Sequence, residues 1–157
     1  MNFEELIEDL TKGSGLKRAQ AAADIGKLRD KRAFDALLMA LSDQNAGVRN
    51  NAAFALGEIG AIEAVPHLIS ILKKDTEDWV RKSAAKALGI LGSHAAIKPL
   101  VEALNDVSLV VRKNVIRSLG KIGGPEAVQA LAHAASGLDP TVSKMAREAL
   151  EKLKKNR

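Results

Sequence analysis

The amino-acid sequence predicts an all-α fold, an α-solenoid of stacked antiparallel helix pairs, and three observations lead there. A pattern of about 31 residues repeats from one end of the 157-residue chain to the other. Within each repeat, apolar residues fall at helical spacing in two separate blocks. Aromatics make up only 3% (Phe3, Phe34, Phe54 and Trp79) while alanine and leucine recur throughout, which disfavours the strands of a sandwich or barrel. With 46% hydrophobic and 27% charged residues, the chain has the composition of one folded domain with one core.

The repeat is read most directly from its first block. VRNNAAFALGEIG starts at Val48, VRKSAAKALGILG at Val80 and VRKNVIRSLGKIG at Val111. KRAQAAADIGKLR at Lys17 and VSKMAREALEKLK at Val142 extend the series in both directions. A second block follows each first one: AFDALLMAL from Ala33, AVPHLISIL from Ala64, AIKPLVEAL from Ala96 and AVQALAHAA from Ala127, with FEELIEDL from Phe3 as its N-terminal counterpart. The resulting division is a single domain, 1–157, of about ten helices. It comprises a half-repeat (1–12), full repeats (17–47, 48–79, 80–110, 111–141) and a capping helix (142–157).

Each block justifies a helix. Val80, Ala84, Ala87, Leu88 and Leu91 form one apolar face and leave Lys82 and Lys86 on the other; Ile97, Leu100, Val101 and Leu104 do the same in the following block. Between the blocks lies a glycine pair: Gly57 and Gly60, Gly89 and Gly92, Gly120 and Gly123. The second member suits the left-handed position that ends a helix. The first lies inside the helix, where glycine costs about 1 kcal/mol relative to alanine, so its recurrence predicts a neighbouring helix too close for a Cβ. Two helices per repeat cannot bury their faces alone and must stack on the next pair. The terminal helices read as caps, the first through its acidic outer face and the last through Ser143 and Glu151 in place of the repeat arginine and glycine.

This unit resembles the short HEAT repeat of the phycobilisome-lyase type, through VR-x2-AA-x2-LG-x-IG followed by A-x2-L-x2-L. The resemblance implies a curved solenoid with the first-block helices on the convex side and the second-block helices lining a concave groove. It also implies an aspartate six residues before each arginine, in a ladder between turns: Asp43 with Arg49, Asp75 with Arg81 and Asp106 with Arg112, while Arg18 has Lys12 at the aspartate position. Guanidinium and carboxylate there would satisfy backbone groups and one another. A phosphate-binding row of arginines is the alternative reading.

The residues argue against catalysis. There is no cysteine, which removes disulfides, thiolate metal sites and cysteine nucleophiles. Deoxyhypusine hydroxylases, which share the repeat, hold iron through His-Glu pairs just after the arginine. The matching positions here are Ala19-Gln20, Asn50-Asn51, Lys82-Ser83 and Lys113-Asn114. His67, His94 and His133 are too far apart along the array to share a metal. No GxxxxGK[ST] loop occurs. The expectation is a protein that is no enzyme and needs no metal or cofactor.

Candidate binding residues follow from repeat phase. On the second-block helices the outward positions are Arg32, Asp35, Met39, Glu63, His67, Ser70, Lys98, Glu102, Gln129 and His133, a mixed lining that suits a protein or peptide partner. Trp79, in a turn, is either an interface anchor or packing over the stacked turns. Charge supplies a second candidate: residues 1–79 hold 10 Lys+Arg against 13 Asp+Glu, residues 80–157 hold 14 against 6. Lys82, Lys86, Lys113, Arg117 and Lys121, with Lys144 and the tail from Lys152 to Arg157, form a basic face able to track phosphates, although interleaved aromatics for base stacking are missing. The leading function is a protein- or peptide-binding scaffold. The alternatives are nucleic-acid association through the basic face, expected on the convex side, and an accessory subunit related to bilin lyases. With an acidic start and no apolar run of membrane length, the expectation is a cytoplasmic monomer without a membrane partner.

Overall fold

The computed structural model describes residues 1–156 and contains ten α-helices and, among the described residues, no strand. The first-block helices are α2 (Gly15–Leu28), α4 (Ala46–Glu58), α6 (Asp78–Leu91), α8 (Leu109–Ile122) and α10 (Pro140–Lys155). The second-block helices are α1 (Phe3–Lys12), α3 (Phe34–Ala40), α5 (Val65–Lys74), α7 (Ile97–Ala103) and α9 (Pro125–Ala135). Single 3-10 turns lead into α3, α5 and α7. The ten helices form two rows, and the core lies between them. Ile25, Leu56, Leu88 and Leu119 from one row meet Leu37, Leu68, Leu100 and Leu131 from the other, all eight without solvent contact. Each such leucine contributes about 1.5–3 kcal/mol by leaving water.

Helix ends are fixed by short polar side chains. Asn2 caps α1 in a reciprocal box with Glu5, and Asn45 accepts from the backbone N–H groups of Gly47 and Val48 at the start of α4. At the C-terminal ends, Gly60, Gly92 and Gly123 adopt φ of 70°, 69° and 68°; Gly92, with ψ 16°, is in the left-handed turn anticipated for the second glycine, whereas Gly123, with ψ −159°, takes a different positive-φ conformation. The first repeat has Arg29 at that position, with φ 53° and a Cβ that this region disfavours.

The mid-helix glycines set how closely the first-block row packs. A methyl at Gly26 would lie 3.0 Å from the Ala55 Cα, at Gly57 3.0 Å from the Ala87 Cα, and at Gly89 2.9 Å from the Ser118 Cα. At Gly120 the only neighbour is the Ala149 Cβ at 3.4 Å, so α10 stands further from α8. Helices α2, α4, α6 and α8 thus run side by side in backbone contact, whereas α1, α3, α5, α7 and α9 touch one another only at isolated points. Rows built on the same repeats but spaced unequally must curve, with the closer-spaced row at the smaller radius. The first-block helices therefore line the concave side. This reverses the expectation that they would be convex and the second-block helices concave.

The arginine ladder exists, with a different register from the expected one. Each arginine pairs with the aspartate that stands before the next first-block helix: Arg18 with Asp43 (Nε–Oδ2 2.7 Å), Arg49 with Asp75 (2.8 Å) and Arg81 with Asp106 (2.8 Å), each completed by a second N–H to the other carboxylate oxygen. The aspartate six residues earlier offers its backbone carbonyl instead: Arg49, Arg81 and Arg112 donate Nη1 to the carbonyls of Asp43, Asp75 and Asp106. The expected pairs of Asp43 with Arg49, Asp75 with Arg81 and Asp106 with Arg112 are thus backbone contacts, and the ion pairs tie the start of each first-block helix to the turn before the next one. Geometry decides this, because the arginine sits at the start of its helix and faces the next turn along the stack. Arg18, with no aspartate of its own, is served by Asp43, and Asp139 closes the series at 3.5 Å from Arg112.

Candidate binding face

The concave side is built from one exposed stripe on each first-block helix. Because the repeat keeps its phase, equivalent side chains lie side by side on adjacent helices. Gly47, Trp79, Val110 and Thr141 form one line near the helix starts. Asn50, Lys82, Lys113 and Lys144 form the next, and Phe54, Lys86, Arg117 and Glu148 a third. Along these three lines the face thus changes from uncharged on α4 to cationic on α6 and α8, with Lys144 and Glu148 together on α10.

Polar side chains stitch this face. Asn51 donates Nδ2 to the Ala19 carbonyl at 2.8 Å, joining α4 to α2, and the Ser83 hydroxyl donates to Asn50 Oδ1, joining α6 to α4. The buried Ser118 hydroxyl donates to the Ala85 carbonyl at 2.6 Å, joining α8 to α6. No equivalent link runs from α10 to α8. There the face opens into a cleft of about 880 Å³, with Lys113, Arg117 and Lys121 on one wall and Lys144, Glu148 and Lys152 on the other. Ile116, Met145, Ala149 and Leu153 give it an apolar floor. A shallower hollow of about 390 Å³ lies between Asn50, Phe54, Lys86, Asn114 and Arg117.

The candidates anticipated from sequence fall on two different surfaces. Arg32, Asp35, Met39, Glu63, His67, Ser70, Lys98, Glu102, Gln129 and His133 are all exposed, and all lie on the second-block row and the turns leading into it. They face outward from the convex side, where their helices splay apart, and among them Gln129 lines a hollow of about 550 Å³ with Pro125, Val128, Ala132 and Leu153. Several are occupied locally: Arg32 bonds Asp30 at 2.6 Å and stacks 4.3 Å from the Phe3 ring, and Glu102 pairs with Lys73 at 3.6 Å. Lys82, Lys86, Lys113, Arg117 and Lys121, expected on the convex side, instead form the concave face, with Lys82 and Lys113 half-buried against their neighbours. Trp79 is the second residue of α6 rather than part of a turn, half-exposed at the head of the same stripe, its Nε1 donating to Glu77 at 3.3 Å. The tail lysines continue α10 as far as Lys155, while Arg157 lies outside the described residues.

Sequence reasoning missed Asn50, Asn51, Phe54, Asn114, Met145 and Glu148 as groove residues. Their common signal is position, since each is the fifth to ninth residue of a first-block helix, on or beside the stripe that carries the lysines. Asp139 was missed as a rung because it stands four residues before Ser143 rather than six, at the N-cap of α10.

The groups whose acidity is displaced belong to the scaffold. Asp43 is held below the usual carboxylate range by hydrogen bonds from Arg18, and Asp139 by the backbone N–H of Val142, against opposing desolvation. For Asp106 burial is the largest influence and raises the value, yet the Arg81 and Ser108 bonds together outweigh it and the carboxyl is lowered. Arg18, Arg49 and Arg81 are raised chiefly by their hydrogen bonds to the carboxylates. Asp30 and Asp24, on the surface, are lowered by bonds from Arg32 and from Gln20 and Lys27. Among the described residues no three His, Cys, Asp or Glu side chains cluster closely enough to hold a metal ion, and no helix is long and apolar enough to cross a membrane.

Two rows of helices, a concave face and an arginine–aspartate ladder define an α-solenoid of the HEAT and armadillo kind. The chain belongs to the HEAT-repeat family, whose model matches residues 3–89 and again 65–151. By structure it resembles phycocyanin lyase from Nostoc sp. PCC7120, determined as the complex of CpcE and CpcF. The TM-score is 0.85 at 28% identity, over 99% of this chain and 66% of that one, so the present chain spans slightly under two thirds of its length. It also resembles an engineered protein (TM-score 0.71, 28% identity, 98% of this chain and 80% of that one). Computationally designed armadillo repeat proteins for modular peptide recognition match with a TM-score of 0.68 at 26% identity, over 93% of this chain and 79% of that one. A comparison by sequence with characterised proteins finds no significant match.

Proposed function

We propose that this protein is a non-catalytic scaffold whose concave face, formed by α4, α6, α8 and α10, holds a segment of a partner protein. The observation that carries the reading is the continuous exposed stripe across these four helices, opening at α8 and α10 into a cleft about 880 Å³ in volume. A rigid row of helices in backbone contact presents side chains at fixed spacing, which limits the entropy lost on binding an extended chain. Two further observations support it: the displaced ionisable groups are accounted for by the ladder and by surface ion pairs, and designed repeat proteins of this shape are described as made for peptide recognition. Selection from a random peptide display library tests it. Wild-type protein should enrich binders that the groove-filling variant Asn114→Trp loses, while Glu63→Arg with His67→Glu on the convex row should keep them. A library that enriches nothing on the wild type, or binders lost only with the convex variant, would sink the assignment.

The likeness to a phycocyanin lyase complex favours one other reading, an accessory subunit of a lyase-like assembly. Its mark would be a visible absorption band retained after the protein is mixed with a bilin and desalted.

A further inference from the structure

The cations of the concave face are clustered, whereas those elsewhere in the fold are scattered. On the convex row and at the N-terminal end, Arg32, Lys73, Lys27 and Lys12 each have a carboxylate within 4.0 Å, and Lys31, Lys74 and Lys98, which have none among the described residues, stand singly on separate elements. Among the described residues, Lys82, Lys113, Arg117, Lys121, Lys144 and Lys152 have no ion pair and no hydrogen bond. Lys86 rests only on the Phe54 ring at 4.8 Å. These seven cations occupy three adjacent helices: Lys113, Arg117, Lys121, Lys144 and Lys152 line the cleft between α8 and α10, and Lys82 and Lys86 line the shallower hollow beside it, with Arg117 common to both. Like charges gathered on a concave, low-dielectric wall repel one another and focus a positive potential into the space between them. Nothing in the packing of the scaffold uses them.

A second feature runs beside the first. One helical turn towards the helix starts, Trp79 and Val110 are exposed on the same stripes, 39% and 46% accessible, and Val107 continues the edge at 92%. The cleft between α8 and α10 repeats the combination, with cations on its walls and Ile116, Met145 and Leu153 on its floor. Cations and apolar surface therefore lie in parallel lines across the helices.

We infer that the partner segment is an acidic peptide in extended conformation, with apolar side chains interspersed among its carboxylates, laid across α6, α8 and α10. The inference rests on the scaffold reading above and adds the chemistry of the ligand. Successive side chains of an extended peptide point to opposite sides. A chain on the boundary between the two lines sends its carboxylates to Lys82, Lys113 and Lys144, and its apolar side chains to Trp79 and Val110. Three helices at about 8–10 Å per step are spanned by roughly six residues at about 3.3 Å each. A nucleic acid would use the cations and leave the apolar line and floor uncovered. It would also find few aromatic faces for its bases.

Fluorescence anisotropy with fluorescein-labelled (Glu-Leu)4 tests the inference against (Lys-Leu)4, (Ser-Leu)4 and an oligothymidylate of similar length. The acidic peptide should bind about tenfold or more tightly than each of the others, weaken as salt is raised, and shift the emission of Trp79. Lys113→Glu with Arg117→Glu should weaken it about tenfold or more. Lys144→Glu, at an exposed position on a different helix, should weaken it in the same direction, and circular dichroism of each variant checks that the helices remain. Equal or tighter binding of the neutral or basic peptide would overturn the acidic chemistry while leaving the scaffold standing. Tighter binding of oligothymidylate would replace the peptide by a nucleic acid. No binding of any peptide would overturn the inference, and with an empty display selection the scaffold reading falls as well.

Discussion

Two alanine substitutions at equivalent positions should have opposite effects on stability. In Gly89→Ala the new methyl would stand 2.8 Å from the Ser118 Cβ and 2.9 Å from its Cα, and would press on the Ser118 hydroxyl. Carbon atoms in good contact lie about 3.5–4.0 Å apart, and a backbone carbon cannot swing aside, so α6 and α8 must separate. Separation strains the bond that the Ser118 hydroxyl donates to the Ala85 carbonyl at 2.6 Å. Helix propensity favours alanine by about 1 kcal/mol. Overpacking opposes it by about 1–3 kcal/mol, and loss of the hydroxyl bond adds about 1 kcal/mol. The net expectation is a loss of about 1–3 kcal/mol. In Gly120→Ala the methyl meets only the Ala149 Cβ, at 3.4 Å. Propensity then stands almost unopposed, for a gain of about 0.5–1 kcal/mol. Urea unfolding followed by far-ultraviolet circular dichroism should move the two midpoints in opposite directions, and each kcal/mol corresponds to about 2–4 °C in Tm at this chain length. Shifts of the same sign would refute the claim that these glycines set the spacing of the inner row.

Three further expectations concern the ladder and the helix ends. Arg29→Gly relieves a left-handed arginine at the end of α2 and should stabilise by about 0.5–1 kcal/mol, measured by the same denaturation. Asp75→Ala leaves the Arg49 charge largely enclosed, since the pair is only 16% and 5% exposed, and should cost about 3 kcal/mol. Arg112→Ala breaks a longer, more exposed pair and should cost about 1 kcal/mol or less; equal losses would show that burial does not govern the ladder. Asp43, Asp106 and Asp139 are all lowered in the folded state, so their stabilisation is complete above the unfolded carboxylate value of about 3.9 and is lost as pH falls through the folded values. Tm should therefore hold between neutrality and about pH 5 and drop below about pH 4, with a smaller drop in Asp106→Asn.

The fold was legible because every repeat states the same thing. Leu37, Leu68, Leu100 and Leu131 recur in phase, and an error at one position would be contradicted at the next. The mid-helix glycines were legible in part: the close neighbour that a costly residue implies is Ala87 at Gly57 and Ser118 at Gly89, whereas Gly120 faces only the Ala149 Cβ at 3.4 Å because α10 stands further off. The register of the ladder was harder. A spacing of six places Asp43 and Arg49 near each other, but only coordinates show that the guanidinium reaches the carbonyl of one aspartate and the carboxylate of the next. The direction of curvature was not legible from helix pattern alone, because both rows are amphipathic. What decides it is the relative size of residues at the contacts within each row, Gly26, Gly57 and Gly89 against Ala55, Ala87 and Ser118. That comparison could have been made from sequence. Reading it would have moved the groove from His67 and Glu63 to Lys82 and Lys113.

Close packing and binding chemistry on the inner row have a common origin. Glycine, alanine and serine at the contacts bring the helix backbones together, and this draws the exposed stripes into a narrow field. Lys82, Lys113 and Lys144 hold one position in successive repeats, as do Lys86 and Arg117 one turn further along. The same charges on the splayed outer row would be further apart and better screened. Their mutual repulsion opposes folding, so the cations of a binding surface and those of a scaffold predict different mutants. Lys113→Gln, which removes a half-buried cation with no partner, should leave stability unchanged or raise it by about 0.5 kcal/mol while weakening capture of (Glu-Leu)4. Asp75→Ala in the ladder should do the reverse, reducing stability with little effect on affinity in the molecules that remain folded. Denaturation and anisotropy on these two variants therefore separate the roles. If Lys113→Gln lost stability and affinity together, the concave cations would belong to the architecture rather than to a ligand.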